Sequence, residues 1–264
     1  MVYLSLNLLS VVTDIILAGY IVWGCIASIP RCRRLKEEVA SGDPQARTRL
    51  YRETLIFEWV SAGLAAIALR LDWKTLNPNR LGLHGSGLLL AHTPDFNQGQ
   101  PEFILGIFST FVLAGFVGLA IRRRRRGGIA IPGASASRWR WLTPDFSTFV
   151  PVTKRERLLF VLVALSAGIC EEIVFRGWLL FKLHNVAGLQ GTLLLATAAA
   201  VFGLIHLYQK VPGVIGTTLV GWLCCLLYFK TGSLAVPIAL HCLIDLRWAI
   251  HPAPTPEKTA TAYA

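Results

Sequence analysis

The chain has 264 residues, of which 54% are hydrophobic and 16% charged, with a mean hydropathy of +0.54. An ordinary soluble domain carries about 25% charged residues, so this composition excludes a soluble globular fold built around one core. The formal charge of +11 does not mark a nucleic-acid binder either, because the positive residues cluster beside apolar runs, as they do at the cytoplasmic ends of membrane helices.

Crossing a hydrocarbon layer roughly 30 Å thick takes about 20 mostly apolar helical residues. Seven runs are read as spans, near 4–30, 55–73, 103–121, 157–180, 189–208, 212–229 and 233–250. The first lacks a positively charged start and a small-residue cleavage site, so it is expected to be retained rather than removed as a signal peptide. Arg31, Arg33, Arg34 and Lys36 follow it and predict a cytoplasmic segment over 31–54. The second span is weaker, with Glu58 and Arg70 near its ends. The apolar piece Leu81–His92 is too short to cross and reads as interfacial or re-entrant.

After the third span, Arg122–Arg126 place 122–156 at the cytoplasmic face. Its Gly, Pro and Ser residues, interleaved with Trp139, Trp141 and Phe146, suit a linker or lid on the membrane surface. The last four spans have almost no loop between them. The predicted fold is therefore all-α, a polytopic transmembrane bundle of about seven spans with a compact four-helix block at its C-terminal side. The predicted divisions are an N-terminal membrane region at 1–121, a basic linker at 122–156, a working core at 157–250 and a disordered tail at 251–264. Counting forward puts the C-terminus in the cytoplasm, in the inner membrane if the cell is bacterial. The six cysteines show no C-x-x-C spacing and predict neither a disulfide framework nor a thiolate zinc site.

An ionisable side chain inside a membrane helix costs about 3 kcal/mol on insertion scales, so each one asks for a partner or a function. The core holds Glu171, Glu172, Arg176, His206, His241 and Asp245 at membrane depth. Glu172 and Arg176 are four apart with the acid first, the favourable order for an ion pair on one helix face. Glu171 points about 100° away and has no such local cation. A carboxylate in that setting suits a general base. Phe202 and His206 share a face of the fifth span, and His241 and Asp245 a face of the seventh. Asp245 is expected to accept from the His241 ring and fix its orientation. Taken singly, each element also reads as helix–helix packing, as do Gly203, Gly213, Gly216 and Gly221. Their convergence in consecutive spans points to one polar site.

The residues Glu171-Glu172-x-x-x-Arg176, Phe202-x-x-x-His206 and His241-x-x-x-Asp245, in that order, resemble the CPBP family. This is the family of CAAX prenyl protease 2-type and bacteriocin-processing membrane proteases, also called Abi. The resemblance covers about 155–250, and the first three spans carry no match. It implies an intramembrane endopeptidase in which Glu171 and His206 activate the attacking water. It assigns His241, with the residue four later, to the oxyanion, and Glu172 and Arg176 to support. Many members carry Asn where this chain has Asp245; an ionised Asp cannot donate to an oxyanion, so Asp245 either orients His241, is protonated, or leaves His241 as the main donor.

The resemblance favours water activation without a metal or other cofactor. Glu171, His206 and His241 are the alternative as ligands of a zinc ion with an open water position, although H-E-x-x-H is absent. The expected partners are membrane lipid and a peptide or membrane-anchored protein substrate, prenylated or not, and no nucleic acid. A non-catalytic adaptor or immunity protein with the same fold, or a small transporter or proton relay, are the other readings of a buried titratable cluster. No repeat of the inverted transporter kind is present.

Overall fold

The computed structural model describes residues 8–72 and 148–250. Every regular element in them is helical: α1 (Leu8–Ala40), α2 (Ala46–Asp72), α3 (Lys154–Glu172), a π-helical segment (Ile173–Leu179), α4 (Leu180–Asn185), α5 (Gly191–Leu204), a 3₁₀ turn (Leu207–Gln209), α6 (Lys210–Thr231) and α7 (Ala235–Leu246). The predicted third span, the piece 81–92, nearly all of the linker and the tail lie outside the described residues.

Four helices here are long and apolar enough to cross a membrane: α1, α2, the continuous run Lys154–Asn185, and Leu207–Thr231. The predicted fifth and seventh spans are instead short apolar helices of 14 and 12 residues. At 1.5 Å per residue these reach only about 20 Å, less than the hydrocarbon thickness. The seven-span count is therefore not borne out by the described part, although the all-helical, membrane-embedded class is. Within the segment read as cytoplasmic, 31–54, α1 runs on to Ala40 and α2 begins at Ala46. Ion pairs sustain these helix ends outside the apolar layer: Arg31 with Glu53 at 2.6 Å and Glu38 at 3.4 Å, and Arg49 with Glu38 at 3.2 Å. In the turn between them, the Arg49 guanidinium holds the Asp43 carboxyl below the usual carboxylate range.

α3 starts at a capping box. The Thr153 hydroxyl accepts from the Glu156 amide, and Glu156 Oε2 accepts from the amides of Thr153 and Val152. α2 lies along α3 in the same direction. Its first turns bind the stretch before α3, through Arg47 Nε to the Thr148 carbonyl and Tyr51 OH to the Phe149 carbonyl. Further along, Trp59 Nε1 donates to Ser166 Oγ at 3.0 Å. At the far end Lys182 Nζ reaches Asp72 at 2.6 Å and also Asp14, while Trp178 Nε1 donates to Asp14 at 2.7 Å. Side chains of α1, α2 and the α3–α4 rod thus meet in one polar knot. Between its two ends the contact is apolar, with Leu17, Ala65, Ala68 and Leu69 against Val174, Phe175 and Trp178.

α7 comes unusually close to α3. A β-carbon on Gly168 would collide with the sulfur and backbone nitrogen of Cys242, so only glycine admits the approach that brings His241 beside Glu171 and Glu172. α5 and α6 pack in the same way, with the Phe202 ring filling the space a side chain at Gly221 would need.

Replacing Lys182 by Ala leaves the mostly buried Asp72 and Asp14 without their shared cation. The loss expected is roughly 2 kcal/mol, between the values for surface and buried pairs. A lowered unfolding midpoint in detergent, partly restored by adding Asp72→Asn, checks it.

Candidate active site

The six ionisable residues singled out in the sequence fall into one region where α3, the π segment, the α5–α6 turn and α7 meet. Glu172 and Arg176 are wholly enclosed, at 0% and 1% exposure. Arg176 Nη1 donates to Glu172 Oε1 at 2.9 Å, Nη2 donates to the Gly221 carbonyl at 2.8 Å, and the guanidinium lies 4.6 Å from the centre of the Phe202 ring. The helix widens to π geometry directly after Glu172, and Arg176 sits in that wide turn. Single π turns inside α-helices recur at functional sites.

His241 Nδ1 lies 2.9 Å from the same Glu172 oxygen. An ionised carboxylate only accepts, so Nδ1 carries a proton. The carboxylate that orients this ring is thus Glu172, rather than the Asp245 expected from the four-residue spacing. Asp245 Oδ2 stands 3.6 Å and Glu171 Oε2 3.8 Å from His241 Nε2, both beyond a direct hydrogen bond. Nε2 is left aimed between two acids.

His206 is placed by the end of α5. Its amide bonds the Gly203 carbonyl three residues back, and this tightening frees the Phe202 carbonyl from its usual partner. His206 Nδ1 takes that carbonyl at 2.8 Å. A carbonyl can only accept, so a neutral His206 carries its proton on Nδ1 and offers a lone pair at Nε2. The ring is flanked by Phe202, with centroids 5.0 Å apart, and by Tyr208 at 5.9 Å. The same helix end accounts for the shortness of α5. Just beyond it Lys210 adopts φ 62°, a strained value for a non-glycine residue.

Glu171 is the acid of the pair that reaches open space, with a side-chain exposure of 21% against 0% for Glu172. Its Oε2 is enclosed and has no hydrogen-bond partner. The site therefore contains three carboxylates, of which Glu172 is neutralised by Arg176, one imidazole lone pair at His206 and the His241 ring between Glu171 and Asp245. Among the described residues no three His, Cys, Asp or Glu side chains are gathered closely enough to hold a metal ion as they stand.

Residues 153–247 match the family model of type II CAAX prenyl endopeptidases, Rce1-like. The match spans somewhat over a third of the chain. No curated protein and no solved structure matches the chain. The matched segment begins at the capping residue of α3 and ends just after α7, so it contains all six site residues, whereas α1 and α2 lie outside it. The family is one of membrane proteases, in keeping with the spanning helices. Sequence reading missed one further acid near the site. Glu58 of α2 is 5% exposed, and the charges of Glu171 and Asp245 act on it. Its signal was an acid in an apolar run, but nothing in the sequence says which helix α2 packs against.

Arg176→Ala strands Glu172 in an apolar interior and is expected to lower stability by about 3–5 kcal/mol. Arg176→Lys keeps the charge but cannot span both Glu172 and Gly221, and is expected to fall between. Unfolding midpoints of the purified variants in one detergent check both expectations.

Proposed function

We propose that the protein is an intramembrane endopeptidase of the CAAX prenyl protease 2-like type. Glu171 and His206 activate a water for attack on a peptide carbonyl. The observation that carries this reading is the contrast between the two glutamates within the segment that matches the Rce1-like model. Glu172 is fully enclosed with its Oε1 held by Arg176 and His241, while Glu171 is 21% exposed and, with the His206 Nε2 lone pair, remains available to a water's two hydrogens.

In this mechanism the water's proton passes to Glu171 while its oxygen bonds the carbonyl carbon. The electron pair of the C=O bond moves to oxygen, and the His241 ring, protonated at Nε2 as well as at Nδ1, donates from Nε2 to the oxyanion. Collapse expels the amine, which takes the proton held by Glu171. Asp245 is a partly exposed acid at the rim. Standing 3.6 Å from His241 Nε2, it favours the protonated ring rather than serving as a donor. Glu172 and Arg176 hold the geometry without touching the reacting atoms. The substrate is a peptide or a membrane-anchored protein, prenylated or not, and no metal takes part.

The test is cleavage of a panel of membrane-tethered peptides, prenylated and unprenylated, by the purified full chain. Glu171→Ala and His206→Ala, each verified as folded, are expected to lose on the order of a hundredfold to ten-thousandfold in rate. A chelator is expected to leave the wild type unchanged. Cleavage abolished by chelator and restored by zinc would replace this mechanism with a metal-dependent one. Wild type that cleaves nothing would favour an adaptor.

A further inference from the structure

The Phe202 carbonyl fixes the His206 ring at Nδ1 alone. A ring bonded at one nitrogen still swings about that bond, and a displacement of about 1 Å at Nε2 is enough to spoil a proton transfer. Aromatic rings supply the remaining restraint. Phe202 lies 5.0 Å from the imidazole between centroids, and Tyr208 lies 5.9 Å away with the two planes inclined by 35°. Phe202, on α5, packs in turn against Phe175 and His241. Tyr208 is half-buried, two residues beyond His206, and is none of the six residues that the sequence singles out.

Tyr208 is itself held. Its backbone lies in the 3₁₀ turn, which the Gln209 amide closes on the His206 carbonyl at 2.8 Å. Its hydroxyl accepts from Gln209 Nε2 at 3.0 Å, and the Gln209 side chain fills the space that a β-carbon on Gly213 of α6 would need. The Phe149 ring stands 6.2 Å from that of Tyr208. Phe149 precedes α3 and lies outside the matched segment, 153–247. Its backbone is pinned by α2, because Tyr51 OH donates to the Phe149 carbonyl at 2.6 Å and Arg47 Nε to the Thr148 carbonyl at 2.8 Å. Tyr51 is buried, and its ring meets Phe160 of α3 edge-on at 5.5 Å. The rings of Phe149, Tyr208, His206 and Phe202 thus run from backbone anchored by α2 to the imidazole.

We infer that Tyr208 is a positioning residue of the site: its ring, backed by Phe149, restrains the His206 imidazole so that the Nε2 lone pair keeps facing the attacking water. This rests on the reading of His206 as a partner of that water. Contacts between rings have preferred geometries as well as area, so a flanking ring selects among orientations that a single hydrogen bond leaves open. The role belongs to the ring, because the hydroxyl is engaged by Gln209. No proton or bond changes at Tyr208. Through Phe149, α2 steadies His206 without placing a group of its own at the reacting atoms.

The test pairs cleavage kinetics with nitrogen-15 spectra of the histidine-labelled full chain in lipid nanodiscs, the His206 signals being assigned by their loss in His206→Gln. The variants are Tyr208→Leu, Tyr208→Phe and Phe149→Leu, each checked for folding by its unfolding midpoint. Wild type is expected to show His206 as one tautomer, protonated at Nδ1. Tyr208→Leu keeps apolar bulk without the ring. It is expected to let the Nε2-protonated tautomer appear as well, and to lower kcat on the order of tenfold to a hundredfold with KM unchanged. Tyr208→Phe is expected to match wild type in both readouts, and Phe149→Leu to move both in the direction of Tyr208→Leu but less. Loss of packing alone would lower the midpoint and leave His206 in one tautomer. A folded Tyr208→Leu with His206 still in one tautomer, or with kcat at the wild-type value, overturns the inference. So does a Tyr208→Phe that matches Tyr208→Leu, which would place the effect in the hydroxyl. Phe149→Leu decides by the same criteria if Tyr208→Leu does not fold. If the tautomers mix in Tyr208→Leu but wild type cleaves no peptide, the positioning of His206 stands and the protease reading falls.

Discussion

The Glu172–Arg176 ion pair is the constraint on which the site depends. Two opposite charges with no exposure to water need hydrogen-bond partners from the helices around them; Arg176 Nε and Glu172 Oε2 are left without one. One turn of helix supplies the pair itself, but not the rest. Arg176 needs the Gly221 carbonyl of α6 and the Phe202 ring of α5, and Glu172 needs the His241 ring of α7. Satisfying this one pair therefore draws three other helices to the same level of α3. Gly168 and Gly221 are where the backbones give way to let them in.

Once that pair is closed, neighbouring residues acquire different chemistry for reasons of geometry alone. Glu171 and Glu172 are adjacent in sequence, but about 100° of helix rotation separates a charge locked in the core from one facing the site. The two histidines are likewise distinguished by what holds Nδ1. His241 is held by a carboxylate, and His206 by a carbonyl released when α5 tightens at its end. The strain at Lys210 and the shortness of α5 belong to the same local event, which turns a helix terminus into a rigid mount for an imidazole.

Much of this was legible in the sequence, because buried charge in an apolar run is a strong signal. The spacing of Glu172 and Arg176, the isolation of Glu171 from a local cation and the helical class all follow from periodicity. Helix lengths did not follow. Hydropathy reads Leu189–Tyr208 as one run, whereas the side chain of His206 competes with the backbone and ends the helix. The orienting role also moved, since a four-residue spacing favours Asp245 while the close approach at Gly168 brings Glu172 within reach. Glu58 could be noticed as an acid in α2, yet its burial there depends on the pairing of α2 with α3, which no local pattern encodes. The predicted span at 103–121 and the linker fall outside the described residues.

The central claim is that the site offers a neutral imidazole lone pair at His206 beside a ring held protonated on Nδ1 at His241. Nitrogen-15 spectra of histidine-labelled protein, assigned with His206→Gln and His241→Gln, test it most directly. The account requires His206 to show a protonated Nδ1 and an unprotonated Nε2 near neutral pH, and His241 to show a protonated Nδ1. A His206 protonated on Nε2 would mean that the Phe202 carbonyl does not hold the ring. The water would then have no imidazole base, contradicting the mechanism built on it.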